Sequence, residues 1–153
     1  PAAVVAAYRS TEPDASPAAI WSACTTDRAM WLPAVRYAEA YARHQPATWM
    51  YRFDWPSSVP GLGACHAVDI PFPFDAVERN GWEGFVADPP AAHALARTVQ
   101  ARWSALARTG TPTSPDHGAP DWPRYGAGRA TLVLDRVCRG EHDPRAAVRD
   151  VWG

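Results

Sequence analysis

Lysine is missing altogether: all 15 basic side chains of this 153-residue chain are arginine, set against 16 acidic ones and scattered along the chain. The net charge of −1 leaves no basic stripe for a nucleic-acid backbone and no polybasic patch for an anionic membrane surface, so neither is expected as a partner. Together with heavy use of Ala and Pro, the arginine preference reads as a compositional bias rather than a functional cluster. There is no run of eighteen apolar residues, and therefore no expected membrane-spanning helix. Cysteine is scarce. Cys24, Cys65 and Cys138 stand far apart, without a CxxC pair or Cys/His ligand spacing, so no metal site is expected. Their odd number excludes a complete disulfide framework and leaves room for one bridge; three small buried apolar side chains is the simpler use. A G-x-S-x-G nucleophile elbow is absent around Ser10, Ser16, Ser22, Ser57, Ser58, Ser104 and Ser114. G-x-G-x-x-G and the P-loop are absent too, Gly61 and Gly63 giving only G-x-G. The first residues, PAAVVAAYRS, show no initiator Met, basic n-region or apolar h-region. They read as the interior of a longer fold, and localisation stays open.

What is present describes a globular domain. Apolar residues make up 47% of the chain, aromatics 11% and charged residues 20%, enough for a real core and too little charge for disorder. No internal repeat occurs. A short Ala-rich helix is expected over Pro1 to Ser10 and a loop over Thr11 to Pro17. Asp27 has the character of an N-cap for a helical stretch to about Arg43, with Met30, Trp31, Val35, Ala38 and Ala42 near a helical period. Pro33 requires a kink or restart inside it. Thr48 to Trp55 alternates cleanly, with Trp49, Tyr51, Phe53 and Trp55 on one face, and is the best strand in the chain. The Pro- and Gly-rich stretch after it is a long shaped loop. Asp88 and Pro89 open a second helix whose stripe is Leu95, Val99, Trp103 and Leu106, ended by Gly110 and Pro112. Ala130 to Asp135 is a buried strand, and Asp143 and Pro144 start a last helix through Trp152. The alternation points to α/β.

Among the histidines, His44, His93, His117 and His142 read as solvated side chains. His66 differs: it follows the best strand by about ten residues, in a Gly-rich loop, with Asp69 three residues on and an aromatic run behind it. The segment from Gly63 through Cys65, His66, Asp69, Pro71 and Phe72 to Asp75 resembles the catalytic-histidine segment of the type-B carboxylesterase/lipase family, roughly G-A-x-H-[GA]-x-[ED]-[IL]-P-[FY]-x-F. Other stretches fall into line in order. Thr26-Asp27 through Pro33 and Ala38-Glu39-Ala40 resemble the family's T-D…P…A-E-A helix, and Tyr51-Arg52-Phe53 its Y-x-F strand. Trp103, Ala107, Gly110 and Pro112 match its W…F-A-x-x-G-x-P stretch. Trp122-Pro123-Arg124-Tyr125 and Arg129 through Asp135 match its W-P-x-Y and R-x-T-L-V-x-D elements. Ala67 departs from the Gly common after the histidine, Asp69 from the commoner Glu, and Leu106 from a frequent aromatic.

The resemblance implies an α/β-hydrolase fold, with residues 1–153 as the C-terminal segment of a single domain that is incomplete by itself. It implies a serine carboxylic-ester hydrolase of bacterial type in which His66 is the catalytic histidine. No metal or organic cofactor is implied; the partners are a small ester substrate and an upstream portion of the same fold carrying Ser and Asp/Glu. In this fold the triad runs Ser, acid, His along the chain, and nothing before His66 provides an elbow. Glu12, Asp14, Asp27, Glu39 and Asp54 precede it without matching the family's acid. The alternative is a non-catalytic α/β-hydrolase-like fragment or binding protein that lacks the nucleophile. A carbohydrate-binding face built from the eight tryptophans is a weaker reading, since Trp31, Trp49 and Trp103 fall on expected core faces.

Overall fold

The computed structural model describes residues 2–113 and 120–153. Pro1 and the stretch holding Ser114 and His117 lie outside the described residues. Helices α1 (Ala2–Thr11) and α2 (Pro17–Thr26) are followed by a π-helical turn (Asp27–Trp31) and α3 (Leu32–Ala42). Strand β1 (Met50–Phe53), the long helix α4 (Pro89–Thr109), strands β2 (Ala130–Leu134) and β3 (Arg139–His142) and the short helix α5 (Ala146–Asp150) complete the order.

The first correction to the sequence expectations is at α2. Its cap is Ser16, whose hydroxyl accepts from the Ala19 amide at 3.1 Å, with Pro17 in the first turn. Asp27 is no N-cap. It sits inside a continuous helical run, 1% exposed, where the Tyr8 hydroxyl donates to it at 2.6 Å and the Arg145 guanidinium at 2.8 Å. The restart expected at Pro33 is present as the π turn: the Leu32 amide donates to the Asp27 carbonyl, five residues back. Proline has no amide to give and its ring crowds the preceding turn, so the ladder slips by one residue there. Met30, placed on the apolar stripe by its spacing, is exposed.

The sheet is three-stranded in the order β1-β2-β3. β1 runs parallel to β2, Met50 opposite Thr131 through Phe53 opposite Leu134, and β3 runs antiparallel to β2. β2 is buried at every residue, because both of its faces are covered. Leu132 and Leu134 meet Ala92, Leu95, Ala96 and Val99 of α4, together with Trp55 and Phe72. On the other face Thr131 shares a small cavity with Trp31 and Val35. A continuous apolar run is what such a two-sided strand requires. β3 was not expected; its Arg-Gly-Glu-His sequence has no apolar face, and it pairs with β2 through its backbone while Glu141 and Arg139 reach Arg52 at 3.5 Å and Asp54 at 3.7 Å.

α4 begins and ends where its punctuation places it, with two differences. Asp88 occupies the cap position at φ +48° but makes no side-chain cap bond; its carboxylate pairs with Arg136 at 3.2 Å. Leu106 is exposed, and the buried face is built from Ala92, Leu95, Ala96 and Val99 instead. Further along the same helix, Arg102 is buried. Its guanidinium donates to the Pro112 carbonyl at 3.2 Å and the Pro120 carbonyl at 2.5 Å, and burial lowers its pKa. Cys24, Cys65 and Cys138 are free thiols, half-buried rather than fully enclosed. Trp55 and Trp122 sit in the core and Trp49 and Trp103 pack against it, which favours packing over a sugar-binding face.

β1 is an edge strand: among the described residues no strand lies beyond it. Beside it opens a groove of about 960 Å³ lined by Tyr37, Tyr41, Trp49, Tyr51, Trp103 and Trp122 among others, with no charged side chain among the described residues of its lining.

Candidate active site

The His66 loop is closed at its base by the residues that end β1. The Trp55 indole, fully buried, donates to the Ala87 carbonyl at 2.9 Å, and Ser57 forms an antiparallel bridge with Val86. The Ser58 amide donates to Phe85 at 2.8 Å and the Ser57 amide to Gly63 at 2.7 Å. A 30-residue excursion is thereby held as one shaped unit rather than a slack connection.

Inside the unit the chain advances by successive turns. The Val68 amide donates to Cys65, Ile70 to Ala67 and Phe72 to Asp69, at 3.1–3.2 Å. This winding sends Val68 and Phe72 inward, 2% and 0% exposed, and leaves His66, Ile70 and Phe74 outward. The Phe72 ring is gripped edge-on by Phe53 at 4.8 Å and Trp55 at 5.8 Å, so the strand's aromatic residues position the loop. The Tyr51 hydroxyl reaches Asp69 at 3.4 Å. The imidazole of His66 is exposed, and among the described residues nothing hydrogen-bonds to it.

Ala67 has φ +70°, a left-handed conformation that a Cβ disfavours. This explains physically why glycine suits the position after the histidine. Ala67→Gly is therefore expected to stabilise the folded loop by about 1 kcal/mol, the relief of the Cβ clash less the added freedom of the unfolded chain. The check is the urea midpoint; an unchanged or lowered midpoint contradicts the strain.

The carboxylates that precede His66 are occupied elsewhere. Asp27 pairs with Arg145, Glu39 with Arg129 at 2.6 Å, and Asp54 with Arg52 at 2.7 Å, while Glu12 and Asp14 stand exposed after α1. No serine among the described residues is brought to His66. Among the described residues, the presented imidazole therefore makes no hydrogen bond to a nucleophile or to an orienting acid. Among the described residues no group of three His, Cys, Asp or Glu side chains forms a metal site.

One cluster escaped the sequence reading. His93, a solvated side chain by its sequence context, sits between two carboxylates: Nδ1 lies 3.0 Å from Asp75 and Nε2 lies 2.9 Å from Glu78. Its pKa is raised, first by the bond to Glu78 and then by that to Asp75. The acids stand three apart just after the aromatic run and the histidine opens α4, but nothing in the linear pattern brings the two stretches together.

Comparison with known proteins places this geometry. Residues 3–145 match the carboxylesterase family. Over 129 residues the chain is 39% identical to the para-nitrobenzyl esterase of Bacillus subtilis (strain 168), covering 81% of this chain and 25% of that protein. It is 30% identical to the acetylcholinesterase of Bungarus fasciatus over 114 residues, 70% of this chain and 18% of that one. A carboxylesterase structure from Geobacillus stearothermophilus superposes with a TM-score of 0.82 at 31% identity, covering 100% of this chain and 32% of its own. The partial mixed sheet with flanking helices is thus part of an α/β-hydrolase fold. The chain belongs to the carboxylesterase family, and it spans about a quarter of the length of the Bacillus subtilis relative.

Proposed function

We propose that residues 1–153 are the C-terminal segment of one α/β-hydrolase domain, and that this domain is a serine carboxylic-ester hydrolase in which His66 is the general acid/base. The observation that carries the reading is the exposed imidazole held at the outer side of a loop whose inner side is locked into the core by Val68 and Phe72. In this chemistry the imidazole accepts the proton of a serine hydroxyl as it attacks the ester carbonyl. It returns the proton to the departing alcohol and repeats the cycle with water. A carboxylate holds the ring in the productive tautomer and backbone N–H groups stabilise the oxyanion. These partners belong to the upstream portion of the fold. No metal or organic cofactor enters the scheme, and the substrate class is a small carboxylic ester, in keeping with the names of the esterase relatives.

The uncharged groove and the open edge of β1 are where that upstream portion docks, adding a strand to the sheet. An uncovered edge strand beside an aromatic groove is an association hazard. The chain on its own is therefore expected to elute as aggregate or as a molten species with weak near-UV circular dichroism, and to hydrolyse a short-chain nitrophenyl ester no faster than its His66→Ala variant. Co-expression with the portion carrying Ser and acid is expected to restore both a sharp elution peak and saturable turnover. A well-folded monomer that turns over ester unaided and is trapped by a fluorophosphonate overturns the reading.

A further inference from the structure

The Asp75–His93–Glu78 cluster carries an inference that deepens the proposed role of His66 and, in its turnover arm, rests on it. We propose that His93 is a positioning residue that works as a proton-operated staple: as imidazolium it bridges Asp75 and Glu78 and holds the C-terminal half of the His66 segment against α4, and on losing its proton it releases that half.

The geometry requires the charge. Both ring nitrogens face carboxylate oxygens, at 3.0 and 2.9 Å. An ionised carboxylate only accepts, and a neutral imidazole has a single N–H to donate. Only the imidazolium satisfies both bonds at once, and each is then charge-assisted. Other charged groups facing the cluster do not replace it. Arg79, from the loop, donates to the Asp75 carbonyl at 2.9 Å and touches its carboxylate at 3.4 Å. Arg97, one turn further along α4, is exposed. Both are permanently cationic in the working range and cannot supply a switch.

The stapled residues are wired to the histidine segment. The Asp75 amide donates to the Phe72 carbonyl at 3.2 Å, and the Ala76 amide to Pro71 at 2.8 Å. The Phe72 amide in turn donates to Asp69, whose carboxylate meets Tyr51. Asp75 is itself held at φ +50°, a conformation that a free aspartate leaves readily. Gln100, two turns beyond His93 on α4, donates to the Phe72 carbonyl at 3.4 Å and does not titrate. Release therefore loosens Asp75 to Arg79 and slackens the turns behind His66 without unseating Phe72. The folded pKa of His93 lies above its unfolded value of about 6.5. The staple is fully present below that value and is lost as pH rises through the folded pKa.

The test uses the complete esterase fold, with this chain joined to the Ser-bearing portion. Hydrogen exchange of the amides from Asp69 to Arg79, corrected for intrinsic rates, is measured from about pH 5 to about pH 9. Protection is expected to fall by at least ~10-fold through one step that lies above the unfolded histidine value of about 6.5. H93Q is expected to show low protection without the step, and E78Q a step moved to lower pH. E78Q keeps the Asp75 bond and serves if H93Q does not fold. kcat for a nitrophenyl ester is expected to show an alkaline limb at the same midpoint with KM little changed, and H93Q to lose that limb. Flat protection in the wild-type protein, or an unaltered step in H93Q or E78Q, overturns the staple. A step in exchange accompanied by full turnover in a His66→Ala variant leaves the staple standing and removes the His66 assignment instead.

Discussion

His66→Ala, placed in the complete fold, is expected to lower kcat for a short-chain ester by several orders of magnitude while KM changes little. The imidazole is asked to move a proton twice in each half-reaction. Without it, the serine hydroxyl attacks undeprotonated and the alcohol leaves unprotonated. What survives the loss of one member of such a triad is oxyanion stabilisation and substrate binding, on the order of 10³–10⁴ over the uncatalysed reaction. The size of the effect separates a catalytic role from a structural one. Within this segment His66 is exposed and among the described residues makes no hydrogen bond, so its truncation removes no packing from the segment and is expected to leave the unfolding midpoint nearly in place, only the bonds to the upstream serine and acid being lost. A large fall in kcat with a nearly unchanged midpoint is the signature of catalysis. Turnover within about tenfold of wild type, worth only ~1.4 kcal/mol of barrier, removes the assignment. His44→Ala and His142→Ala, two other exposed histidines, serve as controls expected to leave kcat where it was.

How much of this was legible in the sequence depends on where each element finds its partners. α4 could be read because its signals are local: Pro89 in its first turn and Gly110 in a left-handed cap after its last. β2 could be read because burial on both faces leaves a continuous apolar run. β3 could not, since an edge strand held by backbone bonds needs no apolar side chain. Ser16-Pro17 was a readable helix start that the loop-like TEPDASP composition concealed. Asp27 misled for a different reason: an acid ahead of an apolar run is a sound cap signal, but its partners Tyr8 and Arg145 are 19 and 118 residues away. His66 stood apart by its place in a Gly-rich loop after the best strand, but only the family resemblance pointed from that place to a catalytic role. The His93 staple had no linear signal, because its three members meet only when the loop folds back on α4.

The buried acid gives the largest expected stability effect. Asp27→Ala is expected to cost about 3–5 kcal/mol, the range for breaking a buried ion pair by removing one partner. Two groups are stranded by the change. The Tyr8 hydroxyl is fully buried and loses the acceptor for its proton, since its other neighbour, the Trp152 indole N–H at 3.1 Å, can only donate. The Arg145 guanidinium loses its carboxylate and, among the described residues, keeps the faces of Tyr8 and Trp31, at 5.8 and 5.3 Å. Because this cluster ties α1 and α5 to the π turn, the loss falls on the contacts that hold the two chain ends together. Tyr8→Phe is the milder variant, expected to cost about 2–3 kcal/mol, because Asp27 keeps Arg145 while the hydroxyl's two hydrogen bonds, to Asp27 and from the Trp152 indole, are lost. The decisive comparison is the triple variant Tyr8→Phe, Asp27→Leu, Arg145→Met. If the penalty of the single change comes from stranded polar groups rather than from lost packing, removing Tyr8, Asp27 and Arg145 as polar partners together recovers most of it, the Trp152 N–H alone losing its acceptor. The measurement is the urea midpoint of tryptophan emission with the upstream portion joined, so that the open edge of β1 is covered. A loss below about 1 kcal/mol for Asp27→Ala, or a triple variant no more stable than the single one, contradicts the assignment of Asp27 as the electrostatic tie between the chain's two ends.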